Sequence, residues 1–297
     1  MTSSELGAWS SFQPEQIKVD YPSEEPLGPE DAGNFFEADF LRARIQITMM
    51  KAEADVFIDA WQSIRDDIPH FERRARPILL KLESWKKELP ACMSFDCELG
   101  MPDAMAQMTN MRSLASLYLR CNHCFILLLR PFFLRQITHI MSNEAGNASR
   151  ESLEAFSDRC LRAARTNVCI MIGLWHRERV AKFGFWDSIH LFSGLTILSL
   201  AMTVNKRRTA SFDEKESDFE TYSTGKNVLN YMMRAGNLAS KGHEKMLMEI
   251  EQMEQVLGTR QTEGFEPLME QWDMDEWMAQ VMGYDPSTSS FVLNEFE

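Results

Sequence analysis

The stretch RSLASLYLRCNHCFILLLRPFFL, residues 112 to 134, decides the fold class of this chain. Its long apolar run predicts a buried helix, which we expect to extend from about Asp103 to Met141. Pro131 should kink or break that helix because proline lacks a backbone donor. The preceding segment, LLKLESWKKELPACMSF at residues 79 to 95, predicts an amphipathic helix that ends at Leu89-Pro90.

The apolar residues of the remaining chain recur at steps of three and four, which is the period of an α-helix. They predict one all-α, multi-helix globular domain over residues 35–258. The last long helix is expected to bend near Gly225 or Gly236, and residues 205–217 are predicted to form a surface loop. The predicted helices are 35–65, 70–88, 103–141, about 149–180, 185–204 and 218–257.

Acidic residues concentrate at the two ends of the chain. Of the net charge of −13, residues 1–39 carry −8 and residues 261–297 carry −9, so the central part has a small excess of basic residues. Residues 1–34 contain four prolines among acidic and small residues, which predicts a disordered arm. This distribution argues against general attraction to nucleic acid, which needs a dense basic face, and favours protein partners.

Two short patterns could carry chemistry, and each has a simpler interpretation. Cys121-x-x-Cys124 has the spacing of half a zinc site, but no second matching pair exists, so both thiols are interpreted as buried core residues. Asp66-Asp67 lacks the third carboxylate of a magnesium-binding motif and is interpreted as a helix-end charge pair. We therefore predict no catalytic residue, no metal and no cofactor in this chain, and we leave any effector site unassigned.

The tail, residues 259–297, alternates acidic and bulky residues, with no Lys or Arg after Arg260. Repulsion between the acids keeps such a segment from collapsing, so its aromatic groups stay available to a partner groove. This composition predicts an acidic amphipathic activation segment, although Glu266 to Met282 could also pack on the body as a last helix. The candidate activation surface is Phe265, Leu268, Trp272, Trp277, Met278 and Phe291.

A short basic run, Lys206-Arg207-Arg208, is a candidate nuclear import signal in the predicted loop. The same composition is common in an ordinary solvated loop, so both interpretations stay open.

The order of several degenerate motifs resembles the regulatory, or middle homology, domain of fungal binuclear zinc-cluster transcription factors. Together the motifs span about residues 35 to 257. They are the helix with Leu79, Leu82 and Trp85; Tyr118 before the aliphatic run and Arg130-Pro131-Phe132; Cys160-Leu-Arg-Ala-Ala-Arg165; Phe185-Trp186 followed by His190-Leu-Phe-Ser-Gly194; and Gly225 through Glu249.

The resemblance implies a nuclear transcription regulator whose helical domain restrains or exposes an activation segment. It implies coactivator or other transcription proteins as partners, with a small effector and a homo- or heterodimer as further candidates. The tight basic block of six cysteines that forms the family's zinc cluster does not occur in this sequence, so we expect no direct DNA binding by this chain. The longest apolar stretches, 124–129 and 189–204, are too short or too interrupted by Ser and His to predict a membrane span. The alternatives are a scaffold or dominant-negative partner with a silent tail, and an α-helical enzyme that would require Asp66 and Asp67.

Overall fold

The structure is a computed structural model that describes residues 18–25, 28, 37–61, 68–98, 100–142, 150–207 and 212–259. These ranges contain helices and no β-strand, so the all-α prediction is confirmed for them. Residues 21–251 form one compact unit; residues 1–20 and 252–297 form a second, of which 18–20 and 252–259 are described. The described helices are α1 (Ala38–Trp61), α2 (Ile68–Glu88), α3 (Asp103–Ala106), α4 (Met111–Ser142), α5 (Arg150–His176), α6 (Phe185–Arg207), α7 (Asp218–Arg234) and α8 (Leu238–Thr259).

Helix α4 lies at the centre of the larger unit and packs against α1, α2, α5 and α6. Pro131 lies inside α4 without ending it, so the alternative of a break at this position is wrong. A proline inside a helix costs about 3 kcal/mol or more. Phe132 and Phe133, which are 1% and 0% exposed, offset that cost because each buried aromatic side chain contributes about 1.5–3 kcal/mol.

A row of aromatic rings joins four helices across the core. Neighbouring ring centroids are 4.1 Å apart for Phe57 and Phe71, 4.9 Å for Phe71 and Phe132, and 4.6 Å for Phe132 and Phe156. Such separations suit offset or tilted aromatic packing. The row fixes α1, α2 and α5 against α4 and so sets the positions of the helices that line the site described below.

The predicted helix over 218–257 is two helices, α7 and α8, with a sharp turn between them. Gly236 has a φ of +99°, a left-handed conformation that side chains disfavour, and ends α7. The Oδ1 atom of Asn237 then accepts the backbone N–H of Ser240 at 3.0 Å and caps the start of α8. Gly225, the other predicted bend site, lies within α7, where close helix packing explains its lack of a side chain.

Helices α5, α6 and α7 approach each other most closely around Val168. A Cβ atom at Gly194 would lie 2.8 Å from Val168 Cγ2 and 2.9 Å from the Ala164 carbonyl oxygen, and one at Gly225 would lie 2.7 Å from Val168 Cγ1. We therefore expect Gly194→Ala to lower the free energy of unfolding, measured in urea, by about 1–3 kcal/mol through overpacking.

The control for this substitution is Gly242→Ala in α8, where an added Cβ would meet nothing within 4 Å. It should be neutral or stabilising by up to about 1 kcal/mol because Ala has the higher helix propensity. Equal effects of the two substitutions would contradict the close approach at Gly194.

Candidate functional site

An open groove of about 670 Å³ lies between α2, α4, α5 and the segment that leads into α7. Its size is within the range of pockets that hold small molecules. Arg159, Arg162 and Arg165 line it from α5, where steps of three residues place them on the same side of the helix. We call it the arginine groove.

A buried ion pair contributes to the lining of the arginine groove. The Nε and NH2 atoms of Arg165 donate to the two carboxylate oxygens of Asp218, each at 2.7 Å, and the two side chains are 10% and 6% exposed. Arg165 also donates to the backbone carbonyl of Asp213, and the backbone N–H of Lys215 donates to Asp218 at 3.0 Å. These bonds hold residues 213–218 against α5.

Arg159 is a second charged residue of the groove lining. It pairs with Glu83 of α2 at 2.5 Å and lies 4.6 Å from the centre of the Phe125 ring of α4. A planar guanidinium suits both contacts because it pairs with a carboxylate at its edge and stacks on a ring with its face. Arg159 therefore connects α2 and α4 through the groove wall.

Tyr118 also lines the groove, and its hydroxyl is engaged in hydrogen bonds to the backbone. That hydroxyl donates to the carbonyl of Met93 at 2.9 Å and accepts the backbone N–H of Phe95 at 2.5 Å. Burial raises the pKa of Tyr118 to about 12. Because the hydroxyl stays protonated and bonded, Tyr118 offers its ring to a ligand.

Two donors in the arginine groove have no protein acceptor within the described part of the chain. The Nδ2 atom of Asn122, a residue that is 8% exposed, lacks a hydrogen-bond partner. Arg162 is exposed, and no described carboxylate lies within 4.0 Å of its guanidinium. The groove thus combines paired charged residues with an exposed guanidinium that has no described carboxylate within 4.0 Å, although Asp158 and Asp213 attract it electrostatically.

A second polar cluster lies in the core where α4 meets α6. The rings of His123 and His190 are 5.2 Å apart, both residues are buried, and neither ring nitrogen of His190 has a described partner. Burial, with added repulsion from Arg120 and Lys51, lowers the pKa of His190 to about 3 and that of His123 well below its usual value. Both rings are therefore neutral at physiological pH.

A hydrogen-bonded network of two serines and a histidine lies between α6 and α8. The hydroxyl of Ser240 donates to Ser188 Oγ at 2.9 Å, and Ser188 Oγ lies 2.7 Å from His243 Nδ1. The spacing is that of a nucleophile and its base. Because both serines are 0% exposed and burial lowers the pKa of His243 to about 4, we assign the network to holding α6 against α8.

The two cysteines with zinc-like spacing are buried core residues, as the sequence indicated. Cys121 and Cys124 are 1% and 0% exposed. Burial raises the pKa of Cys121 to about 12 and moves that of Cys124 further in the same direction, so both stay protonated thiols. Among the described residues, no group of three or more His, Cys, Asp or Glu is arranged to hold a metal ion.

The structure locates only part of the predicted functional residues. Lys206 is exposed in the last turn of α6, and Arg207 is the last residue of that helix, which reaches three residues beyond its predicted end. Arg208 lies outside the described residues. The carboxylates Asp66 and Asp67 also lie outside them, and so do all six candidate activation residues, Phe265, Leu268, Trp272, Trp277, Met278 and Phe291.

The residues of the arginine groove were not predicted from the sequence. The available signal was the three-residue spacing of Arg159, Arg162 and Arg165 on the polar side of an apolar helix pattern. No local signal pointed to Asp218, which lies 53 residues from its partner Arg165.

Helices α4 and α6 are long and apolar enough to cross a membrane by length and composition alone. The segments are Met111–Ile140 and Phe185–Lys206, and 89% and 83% of their most apolar windows are buried within the fold. Such burial is typical of core helices, and other helices of the unit cover these apolar sides.

Comparison of this chain with protein-family models, with characterised proteins and with solved structures found no match in any of the three.

Proposed function

We propose that this chain is a transcription regulator of the fungal zinc-cluster type. Its helical body is a regulatory domain controlled by a small effector in the arginine groove, and its tail recruits coactivator or other transcription proteins in the nucleus. In this proposal the chain acts on genes through protein contacts, as a homodimer or with a partner, and not through DNA contacts of its own.

One observation carries the proposal: three segments that give the sequence its family resemblance meet at the same groove. Lys86 belongs to the helix with the Leu79, Leu82 and Trp85 spacing, Tyr118 precedes the aliphatic run of α4, and Arg162 belongs to the Cys160-to-Arg165 motif. Segments that are separate in sequence and share one ligand-sized groove are typical of a ligand-binding site. The acidic, aromatic composition of the tail supports the second half of the proposal.

The test is a reporter assay on residues 1–297 and on the same chain ending at Thr262, each fused to an unrelated DNA-binding module and compared at equal expression. We expect activation by the full chain and its loss on truncation. Trp272→Ala with Trp277→Ala should lower activation severalfold, because aromatic anchors contribute most of the binding energy at partner grooves.

The control is Ser289→Ala with Ser290→Ala, which changes two small residues of the same tail and should leave activation unchanged. Silence of both fusions and of the isolated tail would contradict the activator assignment. That result would favour the scaffold or dominant-negative alternative, in which the tail is silent.

A further inference from the structure

We propose that the arginine groove binds a small organic anion with an apolar ring or chain. Arg162 supplies the cation that attracts the ligand and donates a hydrogen bond to one of its oxygens. This inference names the chemical class of the effector in the proposed function. Its regulatory meaning rests on that proposed function. Binding itself requires only the purified chain.

The charge of the groove selects for an anion. Six basic and four acidic side chains line it, although the whole chain carries a net charge of −13. Glu83, Asp213 and Asp218 are already paired with basic groove residues. The remaining lining charges are Arg162, Lys86 and Lys87 against Glu98. Asp158 and Asp213 also attract Arg162 electrostatically. Counting Asp158 with Glu98 still leaves three basic against two acidic side chains, so this part of the groove is positive within the described chain.

Arg162 is the donor that a ligand in the groove can reach. It is exposed, and no described carboxylate lies within 4.0 Å of its guanidinium. Two other donors of the lining residues, Asn122 Nδ2 and Arg165 Nη1, also lack a described hydrogen-bond acceptor, but both atoms are inaccessible to solvent. Binding of an anion therefore depends on Arg162.

The apolar residues of the lining favour a ligand that has an apolar part. Tyr118, Phe125 and Ala163 are buried residues that contribute apolar surface to the groove. A volume of about 670 Å³ is far larger than the roughly 30 Å³ that one water molecule occupies, so a bare inorganic anion would fill only a small share of it. An organic anion matches both the donors and the apolar lining.

The test uses two fluorescent probes of similar shape on the purified full chain. One is 8-anilinonaphthalene-1-sulfonate, an aromatic anion, and the other is N-phenyl-1-naphthylamine, which has no charge. We expect saturable binding of the anion at one site per chain and at least tenfold weaker binding of the neutral probe. A charge-assisted hydrogen bond is worth about 1.5–3 kcal/mol, and about 1.4 kcal/mol corresponds to tenfold in affinity.

Substitutions at Arg162 test whether the anionic probe binds in the arginine groove. Arg162→Gln and Arg162→Glu should weaken binding of the anionic probe about tenfold or more, while Arg162→Lys should keep most of it. The matched control is Arg74→Glu, a charge reversal at an exposed position of α2 outside the groove, which should bind as the parent chain does. Circular dichroism confirms that each variant is folded, and Arg162 is exposed, so its replacement should not unfold the chain.

Equal affinity for both probes, or parental affinity in Arg162→Glu, would overturn the inference. Neither result depends on the reporter assay. A chain that binds the anionic probe but never activates transcription would keep the groove assignment and contradict the proposed function.

Discussion

Replacing Asp218 with Ala is expected to lower the free energy of unfolding by about 3–5 kcal/mol, because breaking a buried ion pair leaves a buried charge without its partner. Both oxygens of this carboxylate bind the Arg165 guanidinium at 2.7 Å, and one of them also accepts the backbone N–H of Lys215. The substitution therefore removes the anchor of Arg165 and of residues 213–218 together. Urea unfolding followed by circular dichroism measures the change.

Asp213→Ala is the matched control, because Asp213 lies 3.6 Å from the same guanidinium but is 47% exposed. Solvent screening limits such a pair to less than about 1 kcal/mol. The double substitution Arg165→Met and Asp218→Leu should regain most of the lost stability, since it leaves no buried charge. A cost for Asp218→Ala no larger than that for Asp213→Ala would show that the pair is not buried in solution.

Lowering the pH from 7.5 to 5 is expected to reduce the free energy of unfolding by about 2 kcal/mol for each of His190 and His243, or about 4 kcal/mol together. Their folded pKa values are about 3 and about 4, whereas an unfolded histidine has a pKa of about 6.5. Between these values the unfolded chain binds protons that the folded chain does not. The stabilisation is complete above about pH 6.5 and is lost as the pH falls toward the folded pKa values.

His190→Leu tests this account, because His190 is 2% exposed and its ring nitrogens have no described partner. An apolar replacement should be nearly neutral at pH 7.5 and should reduce the loss at pH 5 by about 2 kcal/mol. His176→Leu, at an exposed position, should leave the pH dependence unchanged. Urea unfolding at both pH values gives the comparison, and an unaltered slope in His190→Leu would contradict the role of the buried ring.

Helix type and approximate position followed from local patterns. The steps of three and four apolar residues predicted α1, α2, α5 and α6 to within a few residues at most ends, because helix formation depends on neighbours within about four positions. Pro131 does not break α4, because packing of α4 against the surrounding helices outweighs the lost backbone bond. The sequence predicts a bend near Gly225 or Gly236, and the structure has the turn between α7 and α8 at Gly236.

The glycines show why sequence alone could not assign the split. Gly225 and Gly236 occur in similar helical patterns, but one lies under Val168 of another helix and the other has a left-handed φ. A single glycine is compatible with either cause. The neighbour that excludes a side chain is known only after the helices are packed.

The sequence by itself determined that this protein is helical and which residues are apolar enough to form its core. It also determined that the excess negative charge is concentrated at the two ends of the chain. These properties depend on composition and on short periodic spacing. Only the tertiary structure decided that Arg165 pairs with Asp218, that Arg159 meets Glu83 and Phe125, and that Arg162 lines the same groove. Such contacts join residues far apart in the chain, and the packing of α4 against its neighbours, rather than any local pattern, brings them together.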